Sequence, residues 1–154
     1  MEMSWTKLLA SRTVQPHATS KNEIDGLRDL IERDLRDADI NELSDDRRFA
    51  TAYNAVLQLS KMALACSGYR VPTGAGHHQK TFEGVRVSLA SSKAESFADY
   101  FETCRRKRNA IDYDGAEIVT ETESNELLQQ AKDFKELVEN WITKTHPAYH
   151  IPKT

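Results

Sequence analysis

Apolar residues return every third or fourth position through Leu127, Ala131, Phe134, Val138, Trp141 and Ile142, with Glu, Gln and Lys between them. This spacing predicts an amphipathic helix near the C-terminus. Thr120 followed by Glu123 reads as a capping box at its start, and Pro147 supplies a stop. At about 1.5 Å per residue the helix is roughly 35 Å long, enough for the spine of a bundle. A second helix is predicted from about Asp45 to Ser67. Ser44 is its N-cap, Asp45 and Asp46 suit the positive end of its dipole, and Gly68 suits the position just past its end. Its inner stripe runs through Phe49, Tyr53, Val56, Leu57, Ser60, Ala63 and Leu64. Alanines 50, 52, 55, 63 and 65 let neighbouring helices come close.

A third helix starts at Ser92, with Glu95 three positions on as a second capping box, and ends between Asp112 and Gly115. Its apolar face is Phe97, Tyr100, Phe101 and Cys104. Asn22 with Asp25 opens an earlier helix carrying Ile24, Leu27, Leu30, Ile31 and Leu35, and shorter helical pieces fall at Ser4–Ser11 and His78–Leu89. The segment GYRVPTGAG, 68–76, is the longest irregular stretch between the core helices, and no long strand pattern or repeat is present. The expectation is an all-α bundle of four to five main helices with no sheet.

Composition narrows the class without naming a function. The chain has 154 residues, 39% hydrophobic and 29% charged, which suits one globular domain with a real core. Residues 1–20 read as an N-terminal extension with a short helix, and 146–154 as a C-terminal tail. Six Gly and four Pro are too few for a sandwich or barrel of many tight turns. No apolar run approaches the roughly 18 residues of a membrane span, so no membrane partner is expected. The first residues lack the basic-then-apolar order of a secretory signal. Cys66 and Cys104 suit a reducing compartment, and the expected location is cytoplasmic.

Charge is the first feature that points at chemistry. The net value is −3, yet Lys21–Arg48 carries six basic and ten acidic residues and 114–139 carries two and eight. Between them, Arg70–Arg108 carries eight basic and four acidic residues, and half of those cations stand together at Arg105, Arg106, Lys107 and Arg108. A basic focus within an acidic shell suggests a confined anion site. On a helix, Arg105, Arg108 and Asp112 lie along one ridge, and Asn109 and Tyr113 continue it one residue over. The rival account is a helix-end charge network: Asp99, Glu102, Asp112 and Asp114 are close in sequence, and cations complement the dipole of a last turn. On charge alone the two accounts stand even.

Metal and familiar catalytic spacings are missing. There is no P-loop, GxSxG or HExxH, and His77 and His78 point about 100° apart on a helix. His146 and His150 are separated by the helix-breaking Pro147. No metal site and no cofactor are expected.

Three stretches, RRFATAYNAVLQLSKMALACSGYRVP (47–72), GAGHHQKTFEGV (74–85) and YFETCRRKRNAIDYDG (100–115), resemble the HEPN family (higher eukaryote and prokaryote nucleotide-binding), most like a small bacterial branch. The resemblance implies an antiparallel helical bundle, commonly a homodimer with its motif helices facing each other. Many members are metal-independent endoribonucleases acting as toxins or in phage defence, often beside a nucleotidyltransferase-like antitoxin. The family motif is Arg, then Asn or another polar residue, then His four to six positions after the Arg. Arg108 and Asn109 match its start, but Tyr113 stands where the His belongs. A tyrosine, with reference pKa about 10, is protonated at pH 7 and a poor general base, whereas a histidine near neutrality serves well. The candidate catalytic residues are therefore Arg108, Asn109 and Tyr113. The candidate phosphate or RNA contacts are Arg105, Lys107, Arg108, His77 and His78. For the two histidines a capping or packing role is the simpler account. Tyr53 reads as core, and Asn54 as either solvated or a buried polar contact. The expectation is phosphate binding of RNA or nucleotide with weak or absent cleavage. The alternative is an interaction module that partners a nucleotidyltransferase-like protein, with Tyr113 as a hydroxyl acceptor.

Overall fold

The structure is a computed structural model that describes residues 3–113 and 115–151. Its elements in chain order are α1 (Trp5–Ala10), β1 (Gln15–Pro16), α2 (Lys21–Ala38), α3 (Asp45–Cys66), β2 (Tyr69–Arg70), α4 (His77–Leu89), α5 (Ser92–Tyr113) and α6 (Glu121–Thr145), followed by a short 3-10 turn, Pro147–Tyr149. The all-α expectation is met. Thirteen of the 22 residues of α3 are buried, and that is why its pattern looks more than half apolar: it is the central rod, packed against α2, α4, α5 and α6. Ser60, fully buried within it, donates to the carbonyl of Val56 at 2.8 Å and so leaves no orphan hydroxyl.

The apolar stripes read from the sequence meet on this rod. Phe97 and Phe101 of α5 close on Phe134 of α6 with ring centres 5.2 and 5.0 Å apart, and Phe82 of α4 lies 5.9 Å from Phe101. Gly84 brings α4 still closer. A Cβ there would stand 2.7 Å from Leu64 Cδ2, so the α3–α4 approach requires a residue without one.

The caps follow the sequence at some ends and shift at others. Ser44 accepts from the amide of Arg47 at 3.3 Å, and Thr120 and Glu123 form both bonds of the capping box, at 2.9 and 3.1 Å. Helix α2 is capped by Ser20 rather than opened by Asn22 and Asp25: Ser20 Oγ accepts from the Glu23 amide. Helix α5 is capped by Ser91 rather than Ser92, because Ser91 Oγ accepts from Ala94 N while Glu95 turns to Arg86. Each time the serine one or two positions upstream reached the third amide. Asp114, one of the carboxylates read near the end of α5, and tail residues 152–154 lie outside the described residues, as do residues 1–2 of the N-terminal extension.

One detail of the fold differs from the sequence expectation. β1 and β2 pair antiparallel, Gln15 opposite Arg70 and Pro16 opposite Tyr69. Gly68, at φ +95°, turns the chain after α3 and its carbonyl accepts from His17 N at 2.8 Å. Trp5 stacks on Tyr69 at 4.1 Å, and Leu8 and Val14 enter the core. Two residues are too few to print a strand alternation, so the pair left no periodic trace. Among the described residues no helix is long and apolar enough to cross a membrane.

Candidate functional site

Helices α3, α4 and α5 bring together side chains that are far apart in the chain. Tyr53, from the middle of α3, is fully buried, but its hydroxyl shares a hydrogen bond of 3.2 Å with His78 Nδ1 in the first turn of α4. A buried phenol needs such a partner, and a Tyr rather than a Phe in an apolar stripe was the one sequence hint of it. Burial pushes the Tyr53 hydroxyl well above its usual pKa, Glu102 adds to the rise, and the charges of Arg105 and Arg108 oppose it. Burial likewise holds His78 below the ordinary imidazole value, helped by His77 and the cations Arg108, Lys61 and Arg105. The groups that act on the Tyr53–His78 pair are therefore the α5 ridge of Glu102, Arg105 and Arg108. Sequence reasoning proposed the two arginines and both histidines but not Glu102 or Lys61.

The α5 cations are not all equally engaged. Arg108 pairs with Asp112 at 2.5 Å, Arg105 Nε stands 3.5 Å from a Glu102 carboxylate oxygen, and Lys107 pairs with Glu123 of α6. Both arginine pairs lie within one helix and are partly exposed, so each is worth about 0.3–0.5 kcal/mol. The buried Nε atoms of Arg105 and Arg108 and Glu102 Oε1 make no hydrogen bond among the described residues. The Arg105–Glu102 approach is a charge contact and not a hydrogen bond. Two guanidinium N–H donors therefore sit desolvated, each at a cost of about 1–3 kcal/mol while unsatisfied. Arg106 and Asn109 are exposed, and Tyr113 is 84% exposed at the end of the helix. Asn54 is exposed, which settles its two sequence readings in favour of the solvated one.

His77 points the other way from its neighbour. Its Nδ1 lies 3.3 Å from the Pro72 carbonyl, and its ring, 6.0 Å from that of His78, lines a cavity of about 300 Å³ with Lys61, Tyr69 and Arg70. A larger cavity of about 600 Å³ lies between α5 and α6, walled by Phe97, Tyr100 and Leu137 with Asp133 and Glu136 beside them, and holds none of the cationic cluster.

The remaining nucleophiles are inert. Burial pushes the Cys66 thiol up to about 11 and the Cys104 thiol to about 12, so neither supplies a thiolate at neutral pH. Among the described residues no group of three or more His, Cys, Asp or Glu side chains is placed to hold a metal ion. Guanidinium groups and imidazoles are the donor types that hold oxyanions, and the surroundings of His78 favour its neutral form.

The family described as HEPN_SAV_6107-like HEPN matches residues 40–139, from just before α3 to well into α6, and so includes every residue of this site. No curated protein and no solved structure matches.

Proposed function

The chain belongs to the HEPN_SAV_6107-like HEPN family, and from that premise we propose that it binds the phosphate of RNA or of a nucleotide at the α3–α4–α5 seam, with slow or no strand cleavage, in a toxin- or defence-type role. The observation that carries this reading is the pair of unsatisfied Nε donors of Arg105 and Arg108, whose charges act on the Tyr53–His78 pair. A phosphate accepts from several guanidinium N–H groups at once, and such charge-assisted bonds exceed the weak intrahelical pairs they displace. Helix-end charge balance explains Asp112 and Glu123, but it does not explain why the Nε donors of Arg105 and Arg108 lack acceptors.

The weakness of cleavage follows from the same geometry. His78 is neutral at pH 7 and free to accept a proton, but the imidazolium it would become is disfavoured by the cations that hold the phosphate. Tyr113, exposed at the end of α5, does not replace the missing motif histidine. The homodimer that the family likeness implies belongs to this reading and would place two such seams near each other.

Fluorescence anisotropy with a short single-stranded RNA tests it. Affinity falls steeply as salt rises, because neutralised phosphates release counterions. Arg105→Ala combined with Arg108→Ala lowers affinity at least about tenfold and flattens the salt slope by about one to two. Unchanged affinity in that double variant refutes the proposal. A second reading, a module that partners a nucleotidyltransferase-like protein, is favoured by the exposure of Tyr113, whose hydroxyl is open to a transferred nucleotidyl group. RNA cleavage lost in Tyr113→Phe removes that second reading.

A further inference from the structure

The cavity beside His77 is built from opposite kinds of surface. Leu27 of α2, Leu64 and Ala65 of α3 and Val71 form an apolar lining, and the Tyr69 ring is backed by stacked Trp5. Lys61 and Arg70 bring two positive charges to it, and Arg70 is held by its strand partner Gln15, whose amide oxygen, turned toward it, accepts from Nη2 and Nε at 2.6 Å. One lining residue is acidic. The Glu23 carboxylate accepts from Thr19 at 2.6 Å and lies 2.7 Å from His17 Nε2, and these bonds, with Arg70 nearby, hold its pKa below the usual value. A volume of about 300 Å³ is at the small end of ligand pockets, which suits one planar ring system and not an extended chain.

The cavity is continuous in chain and in charge with the phosphate seam. His77 lines it while Arg105 and Arg108 act on His78, the two histidine rings being 6.0 Å apart, and Lys61 both lines it and acts on His78. Adjacent residues at the start of α4 thus belong one to each place.

We propose that this cavity is a nucleobase subsite: the phosphate rests at Arg105, Arg108 and His78, and the adjoining base enters between Tyr69, Leu64 and Val71 with its polar edge toward Glu23. The inference rests on the phosphate-binding reading and adds a substrate preference to it. An ionised carboxylate only accepts hydrogen bonds, so it favours bases with an exocyclic amine. Uracil's one donor on that edge, N3–H, is flanked by two carbonyls that the carboxylate repels. The preferred ligands are therefore adenine or cytosine nucleotides over uridine nucleotides.

Binding is read from Trp5 fluorescence in a Trp141→Phe background and confirmed by calorimetry. The probes are inorganic phosphate and the 3′- and 5′-monophosphates of adenosine and uridine. Adenosine monophosphate binds about tenfold or more tighter than phosphate, the gain expected of one stacked base, and tighter than uridine monophosphate. Thr73→Trp, on the exposed loop at the cavity, erases the advantage over phosphate while leaving phosphate binding intact. Glu23→Gln, which does not depend on filling the cavity, narrows the adenosine–uridine gap. Equal affinities for adenosine monophosphate and phosphate in the parent protein overturn the subsite and leave the phosphate seam standing. An advantage that survives Thr73→Trp with no change in base preference in Glu23→Gln also overturns it. Failure of every probe and of RNA removes both readings.

Discussion

Tyr53 shows how much one atom can alter a residue's meaning. Its position on the apolar stripe of α3 made it core, and it is fully buried, but the hydroxyl that distinguishes it from Phe is what holds His78. Asp46 behaves similarly. The sequence placed it as a helix-dipole residue, whereas its carboxylate also accepts from Ile118 N and Val119 N, at 3.0 Å each, and fastens the α5–α6 loop. Neither partner lies within 20 residues in the chain, so local spacing had no means of revealing it. The arginines of α5 were legible because charge clustering is a local property; what they face was not. For His78 the consequence is a pH dependence with a definite sign. Its folded pKa lies below the ordinary value of 6.5, set by burial and by His77, Arg108, Lys61 and Arg105 around it, with Tyr53 bonded to its Nδ1. The unfolded chain therefore takes up this proton more readily than the folded one. The stability gained by keeping His78 neutral is complete above about pH 6.5 and declines as pH drops below it. Melting temperature falls more steeply from pH 7 to pH 5 in the parent protein than in His78→Gln. Parallel slopes for the two would contradict the assignment.

At the scale of elements, helix existence was readable throughout and helix boundaries nearly so. The 3.6-residue period is strong in α2, α3 and α6, and Ser44, Thr120 and Gly68 mark ends that the structure keeps. The misplaced caps at α2 and α5 arose because serine, asparagine and aspartate all qualify as caps, and only geometry selects among adjacent candidates. What the pattern did not convey was how closely α4 approaches α3, and that distance sets where His77 and His78 stand. Gly84→Ala tests it. Alanine gains about 1 kcal/mol in intrinsic helix preference, but its Cβ would enter the space of Leu64, and overpacking of this kind costs about 1–3 kcal/mol. The variant is destabilised by up to about 2 kcal/mol net in urea titration. A stabilised variant would show that the helices separate freely.

Across the whole molecule, one buried arginine joins what the sequence keeps furthest apart. Arg28 of α2, 8% exposed, makes a bidentate pair with Glu139 of α6 at 2.8 and 2.9 Å, bonds Asp25 at 2.7 Å and donates to the Tyr149 carbonyl of the 3-10 turn. Lys132 with Asp39 and Lys135 with Glu32 add exposed pairs along the same seam, where each is worth little. The acidic excess of α2 and α6 is thus partly spent holding the two helices together, an arrangement that charge counting along the chain did not reveal. Removing one member leaves a buried charge alone. Arg28→Ala lowers unfolding free energy by about 3–5 kcal/mol, and replacing both partners, Arg28→Met with Glu139→Leu, restores most of it. A loss under about 1 kcal/mol in Arg28→Ala would place the pair among the surface contacts. The β1–β2 strap carries a different kind of linkage. Tyr69, which lines the His77 cavity, and Trp5, stacked on it, sit at the strand pair that ties residues 15–17 to the chain after α3. A guest in that cavity and the seating of residues 3–16 are consequently one equilibrium viewed from two ends. Whatever occupies the hollow shields the exposed Arg12 peptide from trypsin, and an empty hollow leaves the leading segment readier to peel away.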